Sequence, residues 1–270
     1  MSQAALEALL RRDRIVVVAA LGGLIVVAWT YLLYLAHGMS DAEMSDMPGM
    51  SLTMPDMHPW SWVEFGALVV MWAVMMVAMM TPAAAPMLLT FAAVHRRRTD
   101  QGGPGVPTSI FALGYLLIWT VFSAVAAAGQ VALHARALLS PEMAAAGPVL
   151  AGALLVAAGA FQWTPLKRAC LSACRSPLSF LMSHWREGGA GSLLMGLQHG
   201  LYCLGCCWAL MGLLFVAGVM NLVWVAGIAL IVLIEKVAPR GDVFARLTGV
   251  VLAAAGVVLA ARALFSGVPS

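Results

Sequence analysis

Residues 193–220 read LLMGLQHGLYCLGCCWALMGLLFVAGVM, a run long and apolar enough to cross a bilayer core, with His199, Cys203, Cys206 and Cys207 near its centre. Residues three and four apart share a helix face, so these four fall on one stripe. Met195 extends it four residues before His199, and Met211 four after Cys207. An imidazole and three thiols so placed are a soft-ligand set. Ionisable groups inside a span are costly, so they face the bundle interior and need partners. A buried thiolate needs a neutralising cation above all. Cu(I) on two cysteines, helped by His199 or Met195, meets that need with little net charge; zinc on three cysteines and the histidine is the competing assignment. Cys206 and Cys207 diverge by about 100° on a helix, which leaves one of them to share an ion with Cys203. The plainer alternative is that cysteine packs as a small hydrophobe and His199 hydrogen-bonds a neighbouring helix.

The rest of the chain has the same character. At 270 residues, 62% hydrophobic and 10% charged, with mean hydropathy +0.93, it is not a soluble domain. The expected fold is all-α: a polytopic transmembrane helical bundle of about seven spans. These are residues 15–36, a block 60–94 kinked or broken near Pro82 and Pro86, then 110–133, 144–163, 193–220, 222–234 and 245–264. Three regions result: an N-terminal anchor helix (1–36), an external methionine-rich loop (37–58) and a bundle (59–270). The first span is longer than a signal-peptide core and no A-x-A site follows it, which favours a retained anchor. Residues 164–190 form a polar connector with one short helix carrying Cys170 and Cys174 on one face.

With the N-terminus cytoplasmic, 13 of the 15 basic residues fall on cytoplasmic segments, Lys167 and Lys236 among them; Arg136 and Arg262 are the exceptions. This bias supports the orientation and a multi-pass place in a bacterial inner membrane. The net charge of +3 follows from it, so nucleic acid is not an expected partner. No P-loop or G-x-S-x-G motif appears, and the chain reads as a binding protein rather than an enzyme.

The loop carries Met44, Met47, Met50, Met54 and Met57 between His37 and His58. Neutral thioethers prefer Cu(I), and exposed methionine at this density is poorly explained by packing. In the following block, Met71, Met75 and Met79 fall on one helical line and Met76 and Met80 on the next. Such a ladder could carry an ion, although methionine at helical spacing is also ordinary core filling. Cys170 and Cys174 lie among Lys167, Arg168 and Arg175, cations of the kind that favour a thiolate. Glu64 and Glu235 read as interfacial.

TPLKRACLSACRSPL, GLQHGLYCLGCCWALMGLLFVAGVMN, the following IEK and the WAVMMVAMMTPAAAP segment together resemble a bacterial family of predicted metal-binding integral membrane proteins. The resemblance covers about residues 60–260 and implies metal binding. The residues themselves suggest a membrane protein that captures Cu(I) outside, then relays it inward or delivers it to a copper-dependent membrane enzyme, with a periplasmic copper chaperone as a further partner. Loop methionines would capture, Cys203 with Cys206 or Cys207 and His199 would hold, and Cys170/Cys174 would release. One rival is a membrane thiol-redox protein exchanging electrons between the two cysteine groups or with a quinone. Another is a non-catalytic accessory subunit of a larger membrane complex.

Overall fold

The structure is a computed structural model that describes residues 3–40, 61–102, 105, 107–136, 147–219 and 221–265, with side chains of the first helix only over 15–36. The described residues hold ten helices and no strand. They are α1 (Gln3–Ser40), α2 (Trp62–Asp100), α3 (Thr108–His134), α4 (Pro148–Phe161), α5 (Pro165–Arg175), α6 (Pro177–His184), α7 (Gly188–Gly212), α8 (Leu214–Ala217), α9 (Leu222–Val237) and α10 (Gly241–Phe265). Among the described residues five segments are long and apolar enough to cross a membrane: Ile15–Ala36, Trp62–Asp100, Thr108–His134, Gly188–Ala217 and Gly241–Phe265. A sixth is possible if α4 and α5, which meet at 64°, form one broken span.

Local chemistry explains several boundaries. Ser61 starts α2 with a capping box: its Oγ accepts from the Glu64 amide at 3.2 Å, while the Glu64 carboxylate accepts from the Ser61 amide at 2.7 Å. Glu64, read from the sequence as interfacial, has a local role as the capping-box residue that starts α2. Thr164 caps α5 through the Lys167 amide, and Asn221 caps α9 through the Trp224 amide. The stretch that opens α7 does not remain one helix. It begins at Gly188, stops at Gly212, and after α8 turns at Gly218, whose φ of +94° suits glycine.

Three expectations change. α2, expected to be kinked or broken near residue 82, has no break: it runs through Pro82 and Pro86 as one 39-residue helix. The two missing amides lie one turn apart, and Ala78, Ala83, Ala84 and Met87 around them are buried in the packing of α2 on its neighbours, the tertiary support that holds a helix together across proline. Residues 37–40, assigned to the loop, are the end of α1. The connector, expected to hold one short helix, forms two, α5 and α6, which bury Lys167, Leu171, Phe180 and Leu181. Lys167, Cys170 and Cys174 face the bundle because α5 is strongly amphipathic, and Arg168 is exposed on the far side.

Packing sets the layers. α1 lies on α2, α2 on α3, α3 on α7, α7 on α5, and α4 on α10. Glycine lets α3 and α7 meet backbone to backbone: a methyl on Gly114 would stand 2.8 Å from the Leu197 amide nitrogen. α4 and α10 meet the same way, where a methyl on Gly152 would stand 2.7 Å from the Gly256 carbonyl oxygen. Deep in the bundle the Trp72 indole donates to Gln130 Oε1 at 2.7 Å, so this polar pair satisfies itself.

Candidate metal centre

The stripe on α7 faces inward throughout. Met195, His199, Cys203, Cys206, Cys207 and Met211 are all buried, as the helical spacing requires of a face turned to the core. Within the turn, the Cys206 and Cys207 thiols each donate to the Cys203 carbonyl, at 3.0 and 2.9 Å. Cys207 Sγ also reaches across to α2, 3.9 Å from Met80 Sδ. Two sulfurs bonded to one ion at about 2.3 Å can stand at most about 4.6 Å apart. The 3.9 Å pair lies inside that limit.

Cys203 has a different neighbourhood. Its sulfur lies 3.2 Å from the Tyr115 hydroxyl on α3 and accepts from Lys236 Nζ on α9 at 2.8 Å. Lys236 is only 8% exposed and has no carboxylate partner among the described residues. Its neighbour Glu235, itself 1% exposed, turns the other way, taking Lys167 Nζ at 2.5 Å and Gln162 Nε2 at 3.0 Å. Two lysines counted as cytoplasmic surface charges are therefore inside the protein, and Glu235 is an ion-pair core residue rather than an interfacial one. The cation that a buried Cys203 thiolate requires is available from the chain itself.

Cys170 and Cys174 share the buried face of α5, as the spacing predicts. The structure sets them beside the α7 group. Cys174 interacts with Cys206, and Cys170 Sγ fits against Gly205, where a methyl would meet it at 2.7 Å. All five cysteines are free thiols. Two of the three cations flanking this pair are engaged elsewhere: Lys167 with Glu235, and Arg175 with the Ala238 and Pro239 carbonyls at 2.8 Å each.

His199 stands in an aromatic box, with ring centroids 5.6 Å from Tyr115, 5.6 Å from Phe180 and 6.1 Å from Phe111. Its Nδ1 is buried without a hydrogen-bond partner. Met71, Met75, Met76, Met79 and Met80 are all buried on α2, which core filling alone would also produce. Met80 is set apart by its contact with Cys207. Met44, Met47, Met50, Met54, Met57 and His58 lie outside the described residues, as does the side chain of His37.

Among the described residues, no three His, Cys, Asp or Glu side chains converge in a geometry that could hold a metal ion. That outcome bears on zinc, which takes four such ligands in structural sites. A thiol facing a thioether falls outside it, since methionine is not among those ligand types. Lys236 and Tyr115 escaped the reading of the sequence. The signal for Lys236 was the pair Glu235-Lys236 at the end of an otherwise apolar helix, too expensive there to be left unpartnered.

A family model described as PpoB2, copper chaperone, matches residues 69–259, more than two thirds of the 270-residue chain. Comparison with curated proteins gives no match, and neither does comparison with solved structures.

Proposed function

The chain belongs to the copper chaperone family, and on that premise we propose that it is a multi-pass inner-membrane protein that carries Cu(I) on buried sulfur and passes it to a copper-dependent acceptor. The observation that carries this reading is the Cys207–Met80 pair, two soft donors from α7 and α2 at 3.9 Å, one turn from Cys203. Charge balance favours the monovalent ion. Thiolates at Cys203 and Cys207, the Lys236 ammonium and one Cu(I) sum to zero, whereas Zn(II) would leave a net positive charge in a low-dielectric interior. Met80 adds a donor without adding charge.

In this reading the spans number about seven, with α4–α5 and the 16-residue α9 completing the five long ones. The N-terminus is cytoplasmic, and the methionine-rich stretch after α1, residues 41–58, meets the ion on the outer side. Met71, Met75, Met76 and Met79 line the approach along α2. Cys207 and Met80 form the core of the holding site, with Cys203, Cys206, Met195 and His199 on the same face of α7, and Cys170 and Cys174 adjoin it through Cys206 as exchange partners. Stepwise exchange between soft donors needs no energy source, in keeping with the lack of a nucleotide-binding motif.

Elemental analysis of the purified protein tests this directly. Wild type should retain copper in preference to zinc. The Cys203→Ser/Cys206→Ser/Cys207→Ser variant should lose it, and equal retention by both proteins would remove the buried site.

A further inference from the structure

A cavity of about 350 Å³ opens between α5 and α10. Lys167, Arg168, Arg175 and Arg246 line it, against a single carboxylate, Asp242. Two of the cations are already engaged. Lys167 is spent on the buried Glu235, and Arg175 binds backbone carbonyls while standing 3.8 Å from Asp242. Arg168 and Arg246 approach from different helices, and neither guanidinium has a hydrogen-bond or ion-pair partner among the described residues.

Two free arginines lining one half-open cavity from different helices suit a tetrahedral oxyanion, which offers each guanidinium fork a pair of acceptor oxygens. A carboxylate would satisfy only one of them. Four of the chain's basic residues line this one cavity, and in the membrane reading proposed above these segments lie on the cytoplasmic side, against the anionic leaflet. We propose that this cavity is a phosphate-group site, filled by the headgroup of an anionic phospholipid or by a free phosphate. A bound phosphate would tie α5 to α10 and so hold the helix that carries Cys170 and Cys174 against α7. The lipid source rests on the membrane reading given above. The copper site plays no part in the proposal, and neither arginine belongs to that site.

The full-length protein purified in detergent tests this, with Arg168→Gln/Arg246→Gln as the variant; both side chains are exposed, so the fold should persist. Native mass spectrometry should show phosphatidylglycerol retained by wild type in preference to phosphatidylcholine. The double variant should bind it about thirtyfold more weakly, as expected for two basic side chains at a membrane surface. Alternatively, inorganic phosphate alone should raise the unfolding midpoint of wild type and not of the variant, which identifies the free anion as the occupant. Equal retention of the two lipids with no phosphate shift overturns the proposal, as does identical binding by wild type and variant. Whether the protein requires detergent for extraction reads the membrane assignment separately, and the copper content of the variant, expected to equal that of wild type, reads the metal site separately.

Discussion

Gly114→Ala tests whether the α3–α7 contact sets the centre. A methyl on Gly114 would lie 2.8 Å from the Leu197 amide nitrogen and closer still to the Leu193 carbonyl oxygen, both backbone atoms that cannot rotate away. Ordinary contact begins near 3.4 Å, so the helices must part by at least about 0.6 Å, the difference between 3.4 and 2.8 Å. Tyr115 is the next residue, and its hydroxyl stands 3.2 Å from Cys203 Sγ; the same displacement would take it to about 3.8 Å, near the limit for a sulfur hydrogen bond. Overpacking costs about 1–3 kcal/mol, and backbone against backbone belongs at the upper end. The better helix propensity of alanine returns up to about 1 kcal/mol, which leaves roughly 2 kcal/mol of destabilisation. At about 2–4 °C per kcal/mol for a chain of this size, the unfolding midpoint in detergent should fall by about 4–8 °C. Gly227→Ala on α9 is the control, since a methyl there meets nothing within 4 Å, and its midpoint should hold or rise slightly. A Gly114→Ala protein as stable as the control would refute the close-approach account.

Other perturbations separate the parts of the site. Lys167→Met strands the buried Glu235 carboxylate and should cost about 3–5 kcal/mol in chemical denaturation, most of it recovered by adding Glu235→Leu; an additive loss would contradict the buried pair. Lys236→Met combined with Cys203→Ala should lose less stability than the two single changes together, by about 0.5–3 kcal/mol, and a coupling of zero would show that the 2.8 Å contact carries no energy. Met80→Leu nearly conserves volume and should cost less than about 1.5 kcal/mol in stability. Its Cu(I) affinity in a competition titration should nevertheless fall at least about tenfold, since even outer partners of a metal site are worth that much; unchanged affinity would return Met80 to core filling.

The sequence carried the helical class and the inward stripe of α7 because both depend on local periodicity. Met195, His199 and the three cysteines of α7 share a face for the same reason that residues 193–220 are apolar. Tertiary pairing was the harder part. Counting Lys167 and Lys236 as surface charges is the natural reading of the positive-inside rule, yet the rule counts residues near span ends and is blind to which of them turn inward. Glu235 could pair with either lysine by sequence, and only the packing of α5 on α9 assigns it to Lys167. Pro82 and Pro86 argue for a kink or break on intrinsic grounds, whereas the packing that keeps α2 continuous comes from α1, α3 and α9, distant in the chain. Likewise the Cys207–Met80 contact joins residues 127 apart in the chain, beyond any motif spacing.

The central claim is that thiolate and thioether sulfur from α7 and α2 hold one copper ion. X-ray absorption at the copper edge of the Cu(I)-loaded protein tests it most directly. The account predicts a shell of two or three sulfurs at about 2.3 Å, one sulfur fewer in Met80→Leu, and no sulfur shell in the triple serine variant. A first shell of nitrogen and oxygen in the wild type, or a sulfur shell that survives the loss of Cys203, Cys206 and Cys207, would contradict it.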